Sequence, residues 1–456
     1  MIRTDGHCPD RARLAALHAA ELTRYVETHP RSVALAAEDA RHYLFGVPMH
    51  WMRDWPTPAT LHVEHALGNR LVDADGHEIV DFCLGDTGAM FGHSPEPVAQ
   101  AIARQAAQGL TAMLPSVRSA EVGRLLAHTF GLPRWQMTLS ASDANRFVIR
   151  WARAITGRPK VLVFDGCYHG TVDDTLVDRA GDGRTLTRAS LLGQVHDLAL
   201  GTVVVPFNDA AAVRAALARG DVACVLTEPA LTNCGLVPAR PGFLEDVQRA
   251  CAEHGCLLVL DETHTISSGW GGQGRQQGLQ PDVIVVGKAV AGGLPCAVYG
   301  FTEAVDARMQ AAKRAAPDGH SGIGTTLSAN LLALAALQAQ LAEVMTPAVY
   351  AGMLAHAALL EQRLDEVIAA AGVPWTVTRL GARMELQFCA VTPADAAAAR
   401  AAMNAPLEQA LHLYLLNRGL LVTPFHNMLL VAPQTGASDI ERLVGAVGAF
   451  LSEVCA

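Results

Sequence analysis

The chain has 456 residues, half of them hydrophobic, and a formal net charge of −9. That length suits two or three domains, or one large domain with a satellite. The acidic balance and the lack of a basic run speak against nucleic-acid binding, and no apolar stretch is long enough to span a bilayer.

In chain order, residues 11–45 have the spacing of an amphipathic helix broken near Pro30. Residues 46–82 are irregular and then β-like, and the turn Ala74-Asp75-Gly76 marks a hairpin. From about 95 to 300, strand and helix patterns alternate. Strands are expected at 136–140, 160–164, 201–207, 222–228, 256–262 and 282–288, with helices between most of them, for example at 144–156. That alternation predicts a largely parallel sheet with covering helices. A long Ala/Leu-rich helix follows residue 327, and the remainder mixes helices with strands at 384–389 and 427–433. The chain thus divides into an N-terminal segment (1–75), a large domain (76–330) and a smaller α+β domain (331–456).

The first forty residues carry Asp5, Asp10, Glu21 and Glu27 and lack the pattern of a signal peptide. Ten cysteines show no CxxC pair or other metal-ligand spacing. The expectation is a cytoplasmic protein with reduced thiols and no metal.

Of the 35 basic residues only three are lysines, so the bulk positive charge is carried by arginine. Lys288 ends an apolar strand in PDVIVVGKAVAGG (281–293). An all-apolar strand is buried on both faces, and a lysine there is costly unless it is paired or has lost its proton. Lysine can deprotonate and arginine cannot, so a lysine kept here suggests a need for an amine; the competing reading, of equal weight on this segment alone, is a lysine snorkelling to the surface. Upstream, GCLLVLDETHT (255–265) is a second apolar strand, ending in Asp261-Glu262. The carboxyl ends of such strands form the ligand crevice of an open α/β sheet. An amine and a carboxylate together there fit a pyridoxal phosphate site, the lysine condensing with the cofactor and the aspartate keeping its ring nitrogen protonated. The other reading of Asp261 is a helix cap or an ion pair with Lys288. Gly269, Gly271 and Gly274 satisfy GxGxxG, but they do not sit at a strand-to-helix turn, so they read as a flexible loop near the crevice.

These strings, with GCYHG (166–170), EPALTN (228–233) and HSGIGTTLSAN (320–330), resemble the class III aminotransferases, which are fold type I pyridoxal phosphate enzymes. Within them the resemblance points to glutamate-1-semialdehyde aminomutase and its relatives, over roughly residues 45–435. The resemblance implies an α/β fold, a large domain with a mostly parallel seven-stranded sheet plus a smaller α+β domain from both termini. It assigns Lys288, Asp261 and Tyr168 to catalysis, Tyr168 by stacking on the cofactor ring. It places Ser140, Ala141 and Ser142 at the phosphate, where a helix N-terminus suits a dianion. Ser140 and Asp143 also read as an ordinary helix cap. His169, Glu228, Asn233 and Thr263 fall at cofactor positions, Asn233 near the ring hydroxyl. Thr326, with Thr325 beside it, is implied to reach the phosphate from a neighbouring subunit, hence a homodimer.

For substrate, Arg53 falls where the aminomutase places a carboxylate-binding arginine. Trp51 and Trp55 would wall it, and His426 stands where the aminomutase has a glutamate. That departure, and the missing arginine after Asp261-Glu262, favour a transaminase moving an amino group between an amino acid and a keto acid through pyridoxamine phosphate. The alternatives are an aminomutase or racemase with the same cofactor and, more remotely, a non-catalytic binding protein. His264 and His320 match no catalytic position of the family and are read as structural groups or as groups supporting the residues that touch the cofactor.

Overall fold

The computed structural model describes residues 9–455. The helical stretch expected over 11–45, broken near Pro30, is α1 (Arg11–Thr28), capped by Asp10, and α2 (Pro30–Asp39), with proline at its first position. Strands β1 (Val63–Leu67), β2 (Arg70–Asp73) and β3 (Glu78–Asp81) form antiparallel pairs, with the Ala74-Asp75-Gly76 turn between the last two.

The central sheet uses β4 (Arg134–Thr138), β5 (Lys160–Phe164), β6 (Thr202–Val205), β7 (Val222–Thr227), β8 (Leu257–Asp261), β9 (Val283–Val286) and β10 (Ala297–Phe301). Their order is β4-β10-β9-β8-β7-β5-β6, and only β10 runs against its neighbours. The expected fold type I sheet is therefore present. The strand pattern did not include β10, whose run contains Gly300 and follows a glycine-rich exit. Every residue of β7, β8 and β9 is buried, as helices on both faces require. The expected helix at 144–156 is α3 (Ala141–Thr156).

The long helix expected after 327 begins at Leu331, capped by Asn330, turns π-helical over Gln340–Val344 and stops before Pro347. Helix α4 (Pro347–Ala371) then starts afresh. Leu334, Leu337, Tyr350 and Met353 pack in the core of the central sheet. Ala357, Leu360 and Leu364 pack in a second core with Val80, Phe82 and the terminal helix α5 (Ala437–Cys455). The change of core therefore falls inside α4, not at residue 330, because one continuous helix serves both. The second core carries a three-stranded antiparallel sheet, β11 (Thr376–Leu380), β12 (Arg383–Gln387) and β14 (Met428–Leu430); β13 (Leu420–Leu421) pairs with β3.

The GWGGQG segment is not a flexible loop. Glu262, fully buried, accepts hydrogen bonds from Gln273 N (2.9 Å), Gly274 N (2.6 Å) and Thr265 Oγ1 (2.5 Å). A Cβ on Gly272, which has φ +85°, would lie 2.7 Å from the Glu262 carboxylate. These glycines let backbone wrap a buried carboxylate. Eight of the described cysteines are free, but Cys455 is disulfide-bonded, against the expectation of reduced thiols throughout. No single helix among the described residues is long and apolar enough to cross a membrane.

Gly272→Ala should lower unfolding stability by roughly 2–4 kcal/mol, from a positive φ and a clash at once. Gly352→Ala, inside α4 with open space around it, should raise stability by up to about 1 kcal/mol. Denaturant melts of the two variants check both signs.

Candidate active site

Five strands of the central sheet end at one edge, and the segments after them line a single cavity of about 370 Å3. Leu139–Ser142 follow β4, Tyr168–Gly170 follow β5, Glu228 follows β7, Asp261–His264 follow β8 and Lys288 follows β9. This is where an open α/β sheet binds ligands.

Asp261 is 3 % exposed. It accepts hydrogen bonds from Asn145 Nδ2 (2.8 Å), His169 Nδ1 (2.9 Å) and Thr263 N (3.1 Å). Burial opposes its charge, but the His169 hydrogen bond and charge, with Thr263 and Asn145, outweigh burial and hold the carboxyl below its usual value. Burial likewise depresses His169, yet its Cys167 and Asp261 neighbours win and hold it well above the ordinary imidazole range. Burial pushes Glu228 up to about 7, against His169 and the Thr232 hydroxyl.

Ser140 caps α3 by accepting from Asp143 N (3.2 Å), so the cap reading holds. The capped helix nevertheless opens into the cavity through Ala141 and Ser142. Ser142 Oγ accepts from Thr171 N (3.0 Å), which leaves its hydrogen for a ligand. Ala141 is accommodated because Gly287 faces it; a Cβ on Gly287 would stand 2.9 Å from that of Ala141.

Lys288 has φ +48°, a strained conformation for a lysine, and its Nζ donates to Asp86 Oδ2 at 2.7 Å. Asp86 sits in a loop where Leu84, Asp86 and Thr87 all have positive φ. The Lys288 Nζ is also 2.6 Å from His264 Nε2. Behind His264 lies Arg383 of β12, fully buried, with Nη1 3.2 Å from His264 Nδ1. Burial first, with the flanking Arg383 guanidinium, holds His264 well below the usual imidazole range. His264 is therefore part of the site, supporting Lys288, which is one of the two readings the sequence left open.

Asp86 and Arg383 had no local signature. The one available signal was Asp86 between glycines just after a strand, in CLGDTG (83–88).

Other expected residues lie elsewhere in the chain. Asn233 does not line the cavity; its amide donates to Thr232 Oγ1 (3.4 Å). Thr325 and Thr326 are exposed and line a separate hollow with Met113 and Leu114. Arg53 is exposed in a surface depression, Trp51 is exposed, and Trp55 packs edge-on against His412. His426 lies 3.0 Å from Glu385. His320 is exposed.

A profile of the class-III aminotransferases matches residues 52–441, and the chain belongs to that family. The glutamate-1-semialdehyde 2,1-aminomutase 2 of Brevibacillus brevis is 33% identical over 428 residues, 91% of this chain and 97% of that protein. A crystal structure of a glutamate-1-semialdehyde-aminomutase from Pseudomonas aeruginosa superposes with a TM-score of 0.95 at 47% identity, covering 98% of this chain and 99% of that one. A β-phenylalanine aminotransferase from Variovorax paradoxus superposes at 0.85 with 27% identity, covering 96% and 97%.

The cofactor of this enzyme is pyridoxal phosphate; a variant of the Pseudomonas protein was solved with PMP. The cavity fits it. Thr263 Oγ1 and His169 Nε2 are buried without a partner among the lining residues. A helix N-terminus suits the phosphate, and an ionised carboxylate suits the ring nitrogen. Asp261 would hold that nitrogen, Ser142 and the start of α3 the phosphate, and Lys288 the aldehyde.

Lys288→Ala should abolish the visible cofactor band and turnover together, read by absorbance of the purified protein. Glu228 adds a pH effect. Its folded value of about 7 exceeds the 4.5 of the unfolded chain. The folded state therefore keeps a proton that the unfolded state has lost. Stability from this group is full below about 4.5 and declines as pH rises towards about 7. Glu228→Gln should remove roughly 3 kcal/mol of that decline in melts on either side of the window.

Proposed function

We propose that the chain moves an amino group within one molecule, the reaction named for its glutamate-1-semialdehyde aminomutase relatives. The observation that carries this is the near-complete superposition on the Pseudomonas protein at 47% identity, against 27% for the β-phenylalanine aminotransferase.

Pyridoxal phosphate supplies an aldehyde that condenses with amines and a ring that takes up the electrons of a breaking C–H bond. The chain's residues would do the rest. Lys288 would take and return a proton at the substrate carbons as general acid and base. Asp261, ionised and fixed by Asn145 and His169, would keep the ring nitrogen protonated. Tyr168 would cover one face of the ring. Ser142 and the N-terminus of α3 would anchor the phosphate while the reacting end turns.

The second reading is a transaminase. Arg53, Trp51, Trp55 and His426 do not reach the Lys288 cavity within one chain. The carboxylate-binding group expected of a semialdehyde site is therefore not assembled there. The functional unit we propose is a homodimer with Thr326 completing the partner's phosphate site. The hollow holding Thr325 and Thr326 is bordered by Met113, 77% exposed, and Leu114, 71% exposed; Val117 nearby is fully exposed. Such an apolar patch calls for a covering surface.

Glutamate-1-semialdehyde alone, with no keto acid, should be turned over to the isomer bearing its amino group on the neighbouring position. Turnover only when a keto acid is added would replace the aminomutase with a transaminase. Light scattering should give the mass of two chains rather than 48.2 kDa.

A further inference from the structure

The imidazole of His264 is enclosed by two groups that ordinarily donate hydrogen bonds. Lys288 Nζ lies 2.6 Å from Nε2, and Arg383 Nη1 lies 3.2 Å from Nδ1. A neutral imidazole carries one hydrogen, and the placement of that hydrogen decides which neighbour is satisfied. If it sat on Nδ1, it would point at the guanidinium, which has only donors to offer. Arginine keeps its proton in proteins, so this conflict has no remedy on the arginine side.

With the hydrogen on Nε2, each contact along this chain has one donor and one acceptor. Arg383 donates to Nδ1, Nε2–H points at the lysine nitrogen, and that nitrogen donates to Asp86 Oδ2 at 2.7 Å. A lysine nitrogen that accepts a hydrogen bond is the free amine.

Arg383 is locked in this role. Its Nη2 donates to Thr232 O (2.9 Å) and lies 3.5 Å from Glu385, and the residue is fully buried. Neighbouring backbone fixes His264 too: Ala382 N donates to Ser267 O at 3.0 Å, joining β12 to the segment after β8.

We propose that His264 is a positioning residue for Lys288: Arg383 fixes its Nε2–H tautomer, and that N–H holds the lysine nitrogen as a free amine facing the cavity. The proposal rests on the reading of Lys288 as the cofactor-binding amine. The free amine is the form needed to condense with an aldehyde and to take a proton from carbon. The titratable and charged groups around the pair are Asp86 from the strained loop, Arg383 from β12, and Tyr168, Glu228 and Asp261 on the cavity wall.

The scarcity of lysine makes a direct test. Lys313, exposed on its helix, and Lys160, paired with Asp221 at 2.9 Å, are internal references. Full-length protein freed of cofactor is treated briefly with acetic anhydride at pH 7, and each lysine's labelling is read by peptide mass spectrometry. An ordinary lysine is free amine in only about one part in a thousand at that pH. Lys288, although its side chain is just 28% exposed, should label at least about tenfold faster than Lys313. His264→Phe should erase that excess. His264→Gln, which can accept from Arg383 through Oε1 and donate through Nε2, should retain it.

Nitrogen-15 spectra of the wild type, with His264→Gln identifying the signal, should show the Nε2–H tautomer. Equal labelling of Lys288 and Lys313, an unchanged ratio in His264→Phe, or an Nδ1–H tautomer overturns the proposal. If His264→Phe does not fold, the wild-type ratio and the tautomer decide. Cofactor-loaded protein separates this from the underlying reading: labelling of Lys288 there would refute its role as the cofactor amine, whatever His264 does.

Discussion

The site is organised around one expensive act, the burial of an ionised carboxylate at the end of β8. A carboxylate taken out of water costs several kcal/mol unless hydrogen bonds and charge replace its hydration. Asp261 recovers that from three segments at once: Asn145 inside α3, His169 after β5, and the backbone of Thr263 just beyond its own strand. These partners fix where α3 begins relative to the sheet edge. They therefore also fix where Ser142 and the helix N-terminus face the cavity. The groups suited to the two ends of the cofactor are held in register by one carboxylate's need for donors.

Glu262, the next residue, answers the same problem in a different way. It points to the other side of the chain, where the backbone of Gln273 and Gly274 and the Thr265 hydroxyl supply the donors. Burial pushes it up to about 7, whereas Asp261 stays low. The difference lies in the His169 partner, which brings charge as well as a hydrogen bond. Two adjacent acids thus serve separate ends, one towards the ligand and one towards the scaffold.

How far the sequence could be read follows from how local each signal is. Lys288 and Asp261 were legible because each ends an unbroken apolar strand, so the pattern carries both the burial and the edge. Ser140–Ser142 were legible through the family resemblance, which a strand running into a helix supports. The GxGxxG string misled because glycine marks close backbone approach of any kind, and here the approach is to Glu262. Asp86, His264 and Arg383 meet only in space, from a strained loop, a segment after β8 and a strand of the second core. No spacing along the chain encodes that meeting. Asn233 donates to Thr232 Oγ1 and does not line the cavity. Arg53, Trp51 and Thr326 lie outside the cavity on exposed segments, and no pattern along the chain says how far such a segment stands from a strand end.

Arg383 gives the division into two cores a chemical meaning. It is anchored in the second core through β12, yet its guanidinium touches groups set by the central sheet: Thr232 O, His264 and the neighbourhood of Asp86. A buried guanidinium cannot lose its partners without leaving a charge stranded in the interior. Any displacement of β12 relative to β8 must therefore break donor contacts on both sides at once. The continuous helix α4, which packs in both cores, opposes such a displacement mechanically. The lysine's immediate surroundings are thus tied to the seating of the second core, and the geometry around Nζ is a property of both halves of the chain.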